Sequence, residues 1–187
     1  MTLLLAYLLG SFPSALVISR LLHQDARKVG SGNLGGLNVF RNIHPLAGAA
    51  VVVLDVGKAA LSVYLASRMS PSAWAPPMAA AFSVIGHNWQ LFAGFVGGKG
   101  IASSLGAFLL IAPAVIPIFI LCGLFLAFAL RDVMMAVACA YGVLPLFTFA
   151  VTKRIPQSAS ALLLAGACIV KMLPDIRAFQ QGRRRLF

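Results

Sequence analysis

Glutamate is missing from this chain, and four aspartates carry all of its side-chain negative charge. Charged residues of either sign make up only 10% of the sequence, against roughly a quarter in soluble domains. That scarcity excludes an ordinary solvated globular surface. Cys122, Cys139 and Cys168 stand singly inside apolar runs, without metal or redox spacing, and read as small packing residues. His23, His44 and His87 are far apart in sequence, with no glutamate to join them, so no metal site is expected. No serine lies in a nucleophile-elbow context suited to Ser–His–Asp catalysis. The first apolar segment has neither a basic leader nor an A-x-A cleavage site, and is expected to be retained as a span.

What the chain has in abundance is apolar residues: 60% of its 187 positions, with a mean hydropathy of +0.94. This composition places it among polytopic membrane proteins, all-α in class. At about 20 residues per span the length suits six or seven helices in a single membrane-embedded domain over residues 1–187. The net charge is +11. A basic chain can bind nucleic acid, but here the cations mostly flank apolar runs, which suits an anionic lipid bilayer better.

Read in order, the expected spans are Met1–Leu22, with a bend at Pro13, then Pro45–Ala66 and Met78–Phe92. Ile101–Leu130 is too long for one span and is interrupted by Pro113 and Pro117, so it is split into two short helices. Val133–Val151 and a short Ser158–Lys171 complete seven. Eleven of the fifteen basic residues then share one side with both glycine-rich loops and the Arg183–Arg185 tail, a lipid-facing anchor. The positive-inside tendency makes that side cytoplasmic, with the N-terminus outside, as in a bacterial plasma membrane.

Two stretches carry the chemistry. Gly30–Arg41, GSGNLGGLNVFR, puts Gly30, Gly32, Ser31, Asn33, Asn38 and Arg41 between apolar segments. Glycine lets backbone N–H groups converge on an anion. The serine and asparagines add neutral donors, and Arg41 adds a fork matched to phosphate. Gly94–Gly100, GFVGGKG, repeats this chemistry, with Lys99 among Gly97, Gly98 and Gly100. A dinucleotide fingerprint is rejected because no strand precedes the glycines and Asp55 falls inside a span. A P-loop is rejected because Ala93 and Gly100 occupy positions that need Gly and Ser/Thr. Asp55 and Lys58 lie one helical turn apart in mid-span. They suit either a structural ion pair or support behind the site. His87 suits a core histidine or a site residue.

Together these residues resemble a family, the bacterial acyl-phosphate:glycerol-3-phosphate acyltransferases (PlsY). GSGNLGGLNVFR resembles its GSGN-x-GATN-V-x-R stretch, and DVGKAAL from Asp55 resembles its D-x-x-K-G segment. GHNWQLFAGFVGGKGIASSLG from Gly86 resembles its GH…F-x-G-F-x-GGKG-x-A-T-x-x-G stretch, with Ser103 in place of Thr. The agreement in order and spacing runs across Met1–Ala112. The resemblance implies transfer of an acyl group from acyl phosphate to the 1-hydroxyl of glycerol 3-phosphate, giving lysophosphatidic acid and phosphate. It implies no cofactor, metal or acyl-enzyme. Lys99, Arg41 and Ser31 would be catalytic, and with Gly30, Gly32, Asn33, Asn38, Gly97, Gly98 and Gly100 they would bind the phosphates. Asp55, Lys58, His87 and Ser103 would support them.

The second half departs from the family pattern. The family's serine-containing loop reads Arg131–Ala136 here, without serine. Where its tail has His, Asn and Arg, this chain has Met172, Asp175 and Ala178. An aspartate beside a phosphate repels it. A non-catalytic lipid-binding or partner protein and an organic-phosphate transporter are the competing readings of such a chain.

Overall fold

The structure is a computed structural model and describes residues 1–183. Arg184 and Arg185, the remainder of the expected tail anchor, lie outside the described residues. Among the described residues there are nine α-helices and no strand. In chain order they are α1 Thr2–Gly10, α2 Ser14–Leu21, α3 Gly36–Asn42, α4 Pro45–Met69, α5 Ala75–Asn88, α6 Ile101–Ile111, α7 Val115–Leu130, α8 Val133–Thr152 and α9 Ile155–Gln180. A 3₁₀ turn, Leu91–Ala93, follows α5.

Four stretches are long and apolar enough to cross a bilayer: Thr2–Leu21, Pro45–Met69, Val133–Thr152 and Ile155–Gln180. The other three are shorter: α5 has 14 residues, α6 has 11 and α7 has 16. At 1.5 Å per residue these extend only about 16–24 Å, less than the roughly 30 Å hydrocarbon core. The seven expected segments are all helical, with three corrections. The first span is two helices, because Pro13 has no N–H and the chain turns between Ser11 and Pro13. The last is not short but the longest helix, 26 residues, running straight through Pro174. The glycine-rich first loop also holds a helix, α3, whose Val39 packs with Leu34, Ala26, Leu16 and Val51 in a core of its own.

Polar groups explain how the broken first span survives in an apolar setting. The Lys58 ammonium on α4 donates to the Phe12 carbonyl at 2.9 Å, beside the break. Ser14, the first residue of α2, donates its hydroxyl to Asp55 Oδ1 at 2.5 Å. Asp55 and Lys58 pair at 2.8 Å, and His87 Nδ1 on α5 lies 3.3 Å from the same carboxylate oxygen. All four side chains are buried. The intramembrane charges thus neutralise each other, and Lys58 gives the Phe12 carbonyl a second donor beside the Ser14 N–H at 3.0 Å.

Small residues let the helices approach closely. A Cβ on Gly10 of α1 would strike the Ser83 carbonyl of α5, and one on Gly106 of α6 the Val56 carbonyl of α4. The larger core lies among α5–α9, around Val84, Phe108, Tyr141, Leu144, Leu164 and Met172. Outside it, Leu54, Leu121, Phe125, Phe128, Leu146 and Leu162 are exposed, as lipid-facing side chains are. The bundle has two distinct ends. One carries the glycine loops, the start of α8 and the end of α9. The other carries the Ser70–Trp74 turn, Leu110, Ile111, Lys153 and Arg154, around an open groove of about 740 Å³.

Candidate active site

The first glycine loop is held by one side chain, Asn38 of α3. Its Oδ1 accepts from the Ser31 N–H at 3.1 Å, from the Ser31 hydroxyl at 3.4 Å and from Asn42 Nδ2 at 3.0 Å. Its Nδ2 donates to the Ala26 and Val29 carbonyls at 3.0 and 3.2 Å. Both ends of the amide are therefore occupied within the loop. Asn38, expected among the phosphate ligands, braces the turn carrying Ser31, Gly32 and Asn33 in this structure. Gly30 sits at φ +53°, and a Cβ there would collide with the Asn38 and Asn42 amides, so only glycine fits.

Ser31 is exposed, Gly32 and Asn33 are half-buried, and Arg41 is exposed in the last turn of α3. Among the described residues Arg41 makes no hydrogen bond or ion pair. Nearby Arg27 is engaged: it forks onto Asp25, with N–O distances of 2.6–3.2 Å. The guanidinium holds that carboxyl well below the usual carboxylate range. Arg27 is neutralised locally, which sets it apart from Arg41.

The second loop is held from outside. The Gly98 N–H donates to the His87 carbonyl at 3.1 Å, and a Cβ at Gly98 would overlap the His87 imidazole. Gly97 lies against the His87 and Asn88 carbonyls, and Gly100 against Cys168 and Asn88. His87 is buried, facing Asp55 through one nitrogen and the glycine loop through the other. The Leu34 N–H donates to the Gly97 carbonyl at 3.4 Å, which joins the two glycine loops directly.

Lys99 emerges from this packed loop with its side chain 19% exposed. Its ammonium meets Asp175 Oδ2 at 2.7 Å and Met134 Sδ at 3.5 Å. Asp175, near the end of α9, therefore lies within the site. Met134 and Asp175 both fall in segments that depart from the family pattern. The departures from the family pattern at Arg131–Ala136 and in the tail are the signal that marks those segments. Behind the loop, Ser103 is buried with an unpaired hydroxyl, and Asn88 Oδ1 is buried and unpaired beside Gly100, among the described residues. Asn88 adjoins His87 in the GHN run, which would have marked it. No three His, Cys or Asp side chains among the described residues form a group able to hold a metal ion.

The arrangement is a pair of joined glycine loops with a lysine, an exposed arginine and an exposed serine, at one end of an apolar bundle. The family model for glycerol-3-phosphate acyltransferase matches residues 1–182. The chain belongs to the glycerol-3-phosphate acyltransferase family. The glycerol-3-phosphate acyltransferase of Geobacter sulfurreducens is 32% identical over 185 residues, covering 97% of this chain and 94% of that relative. Glycerol-3-phosphate acyltransferase 1 of Dehalococcoides mccartyi is 47% identical over 116 residues, covering 60% of this chain and about half (55%) of that relative. The crystal structure of PlsY, an integral membrane glycerol 3-phosphate acyltransferase, in its glycerol 3-phosphate form is similar over 100% of this chain and 94% of its own. The TM-score is 0.89 and the identity 31%. The lysophosphatidic acid form of PlsY gives a TM-score of 0.87. This member of the family is accordingly an integral membrane protein, and its all-helical fold is that of PlsY.

Proposed function

We propose that this protein moves an acyl group from acyl phosphate to the 1-hydroxyl of glycerol 3-phosphate, or of a related phosphorylated acceptor, in phospholipid synthesis. The observation that carries the reading is the junction of the two glycine loops, Leu34 to Gly97, which puts the Ser31 and Lys99 loops side by side. The hydroxyl oxygen attacks the acyl carbonyl carbon. The carbon–oxygen bond to phosphate breaks, phosphate leaves with the electron pair, and a substrate phosphate takes the hydroxyl proton. The products are lysophosphatidic acid and inorganic phosphate. An acyl phosphate is already activated, so the protein's part is to hold two phosphoanions close and steady. Lys99 and Arg41 supply charge; Ser31, Asn33 and the backbone of Gly30, Gly32, Gly97, Gly98 and Gly100 supply donors. Asn38, Asp55, Lys58, His87 and Ser103 act by positioning the loops.

The whole chain acts as a single membrane-embedded domain. Its N-terminus faces outward, and the site and C-terminus face the cytoplasm of a bacterial cell, where water-soluble glycerol 3-phosphate is made. The distribution of Lys and Arg supports that orientation. A reporter fused within Met69–Ala75 is expected to be inactive in the cytoplasm; cytoplasmic activity there overturns it.

Purified protein given acyl phosphate and glycerol 3-phosphate is expected to form lysophosphatidic acid and phosphate in equal amounts, and Lys99→Ala to lose at least about 100-fold of that rate. Folded wild-type protein that gives no product above the Lys99→Ala control rejects the reading. The Lys99–Asp175 pair is the one observation favouring a second reading, a non-catalytic lipid-binding protein. That protein would retain lysophosphatidic acid without turnover in the same assay.

A further inference from the structure

The Lys99 ammonium already has an anionic partner before any substrate arrives. Asp175 Oδ2 stands 2.7 Å away, in a pair whose side chains are only 19% and 14% exposed. The other group at the ammonium is the Met134 thioether, at 3.5 Å, a weak acceptor without charge. Gly97, Gly98 and Gly100 are all buried, so the loop that carries Lys99 is closely packed. Asp175 is fixed from the other side, in a helix whose neighbouring Met172 is fully buried. Two packed elements therefore hold a carboxylate where a phosphate on Lys99 would have to sit or border. The C-terminal carbonyls of α9 add partial negative charge on the same side.

We propose that Asp175 is a built-in competitor for phosphate, which makes phosphate binding at this site an exchange of one anion for another on Lys99. This rests on the reading that Lys99 receives a substrate phosphate. A phosphate dianion displaces the carboxylate from the ammonium on entry, and the carboxylate returns when inorganic phosphate leaves. The pair weakens binding of every phosphate-bearing ligand at this position by a common factor. In turnover the same competition hastens phosphate release, so Asp175 sets the balance between substrate capture and product escape.

The test is titration calorimetry of inorganic phosphate into wild-type, Asp175→Asn and Lys99→Ala protein in detergent, with thermal unfolding as a check on folding. Asp175→Asn is expected to bind phosphate roughly 3–30-fold more tightly, removing one repulsive contact in a partly exposed setting. Product inhibition of acyl transfer should strengthen by the same factor, and Lys99→Ala should bind phosphate most weakly. Asp175→Ala serves as the second variant should the amide perturb folding, and the expected direction is the same. Unchanged or weaker phosphate binding in folded Asp175 variants, with Lys99→Ala still impaired, overturns the exchange while leaving Lys99 as a phosphate ligand. Unchanged binding in Lys99→Ala removes the site reading itself, and the exchange with it.

Discussion

The two glycine loops lie side by side and are built in opposite ways. The Ser31 loop is braced from within: a single amide, Asn38, ties Ala26, Val29, Ser31 and Asn42 together. Among the described residues the Lys99 loop has no such side-chain brace within it. It takes its shape from α5, through the His87 carbonyl and imidazole, and from α9 at its far side. A self-braced loop keeps its form when its neighbours shift. An externally packed loop reports every change in the helices beneath it, and His87 connects it to the Asp55–Lys58 pair at the first-span break. The lysine therefore answers to the bundle, whereas the serine turn answers to its own sequence.

The sharpest way to break this contrast is from below. Asp55→Asn leaves Lys58 without its carboxylate in a buried site, and is expected to destabilise the protein by about 3–5 kcal/mol. Asp55→Asn with Lys58→Met should recover much of that loss, measured by thermal unfolding in detergent. If the single and double variants unfold alike, the charges are not acting as a pair. Asn38→Ala comes next. It removes five hydrogen bonds, some with buried partners, and should cost about 2–4 kcal/mol and disorder the Ser31 turn. Protease nicking should then appear within Ala26–Gly35 and not at Gly97–Gly100. Cleavage in both loops would mean that the Ser31 turn is not independent.

Gly98→Ala pushes a methyl group into the His87 imidazole. The expected cost is about 1–3 kcal/mol, with a large loss of acyl transfer. In a double-mutant cycle His87→Ala should relieve part of the stability cost but not the activity. Additive stability effects would show that the two residues do not press on each other. Arg41→Ala should be the mildest for stability, within about 0.5 kcal/mol, because the side chain is exposed. It should still raise KM for glycerol 3-phosphate several-fold. A stability loss above that bound would reveal a structural role.

Much of this was legible in the chain, and the illegible part has a physical pattern. Pro45 and Pro113 marked helix boundaries because proline's missing N–H acts locally. The cations flanking most apolar runs defined the spans, although Asp55 and Lys58 sit inside one. Glycine density hid α3, since Gly35 and Gly36 read as loop although Leu34 and Val39 anchor a helical turn in the core. The last helix was expected to be short, over Ser158–Lys171, yet α9 runs from Ile155 to Gln180 with Pro174 inside it. Sequence shows the Asn38 amide but not that it bonds to Ala26, Val29, Ser31 and Asn42. The Lys99–Asp175 contact joins residues 76 positions apart, and no local pattern predicts which charges a bundle brings together.

The bond from Lys58 to the Phe12 carbonyl also bears on how the chain is made. Until residues 55 and 58 enter the membrane, the Phe12 carbonyl keeps the Ser14 N–H but not its ammonium donor, and the Ser14 hydroxyl is without Asp55. The first span is thus unfinished on its own and becomes a proper membrane element only when α4 is beside it. A nascent chain stopped before residue 55 should remain extractable or held at the insertion machinery. One that extends past α4 should resist extraction as a two-span unit.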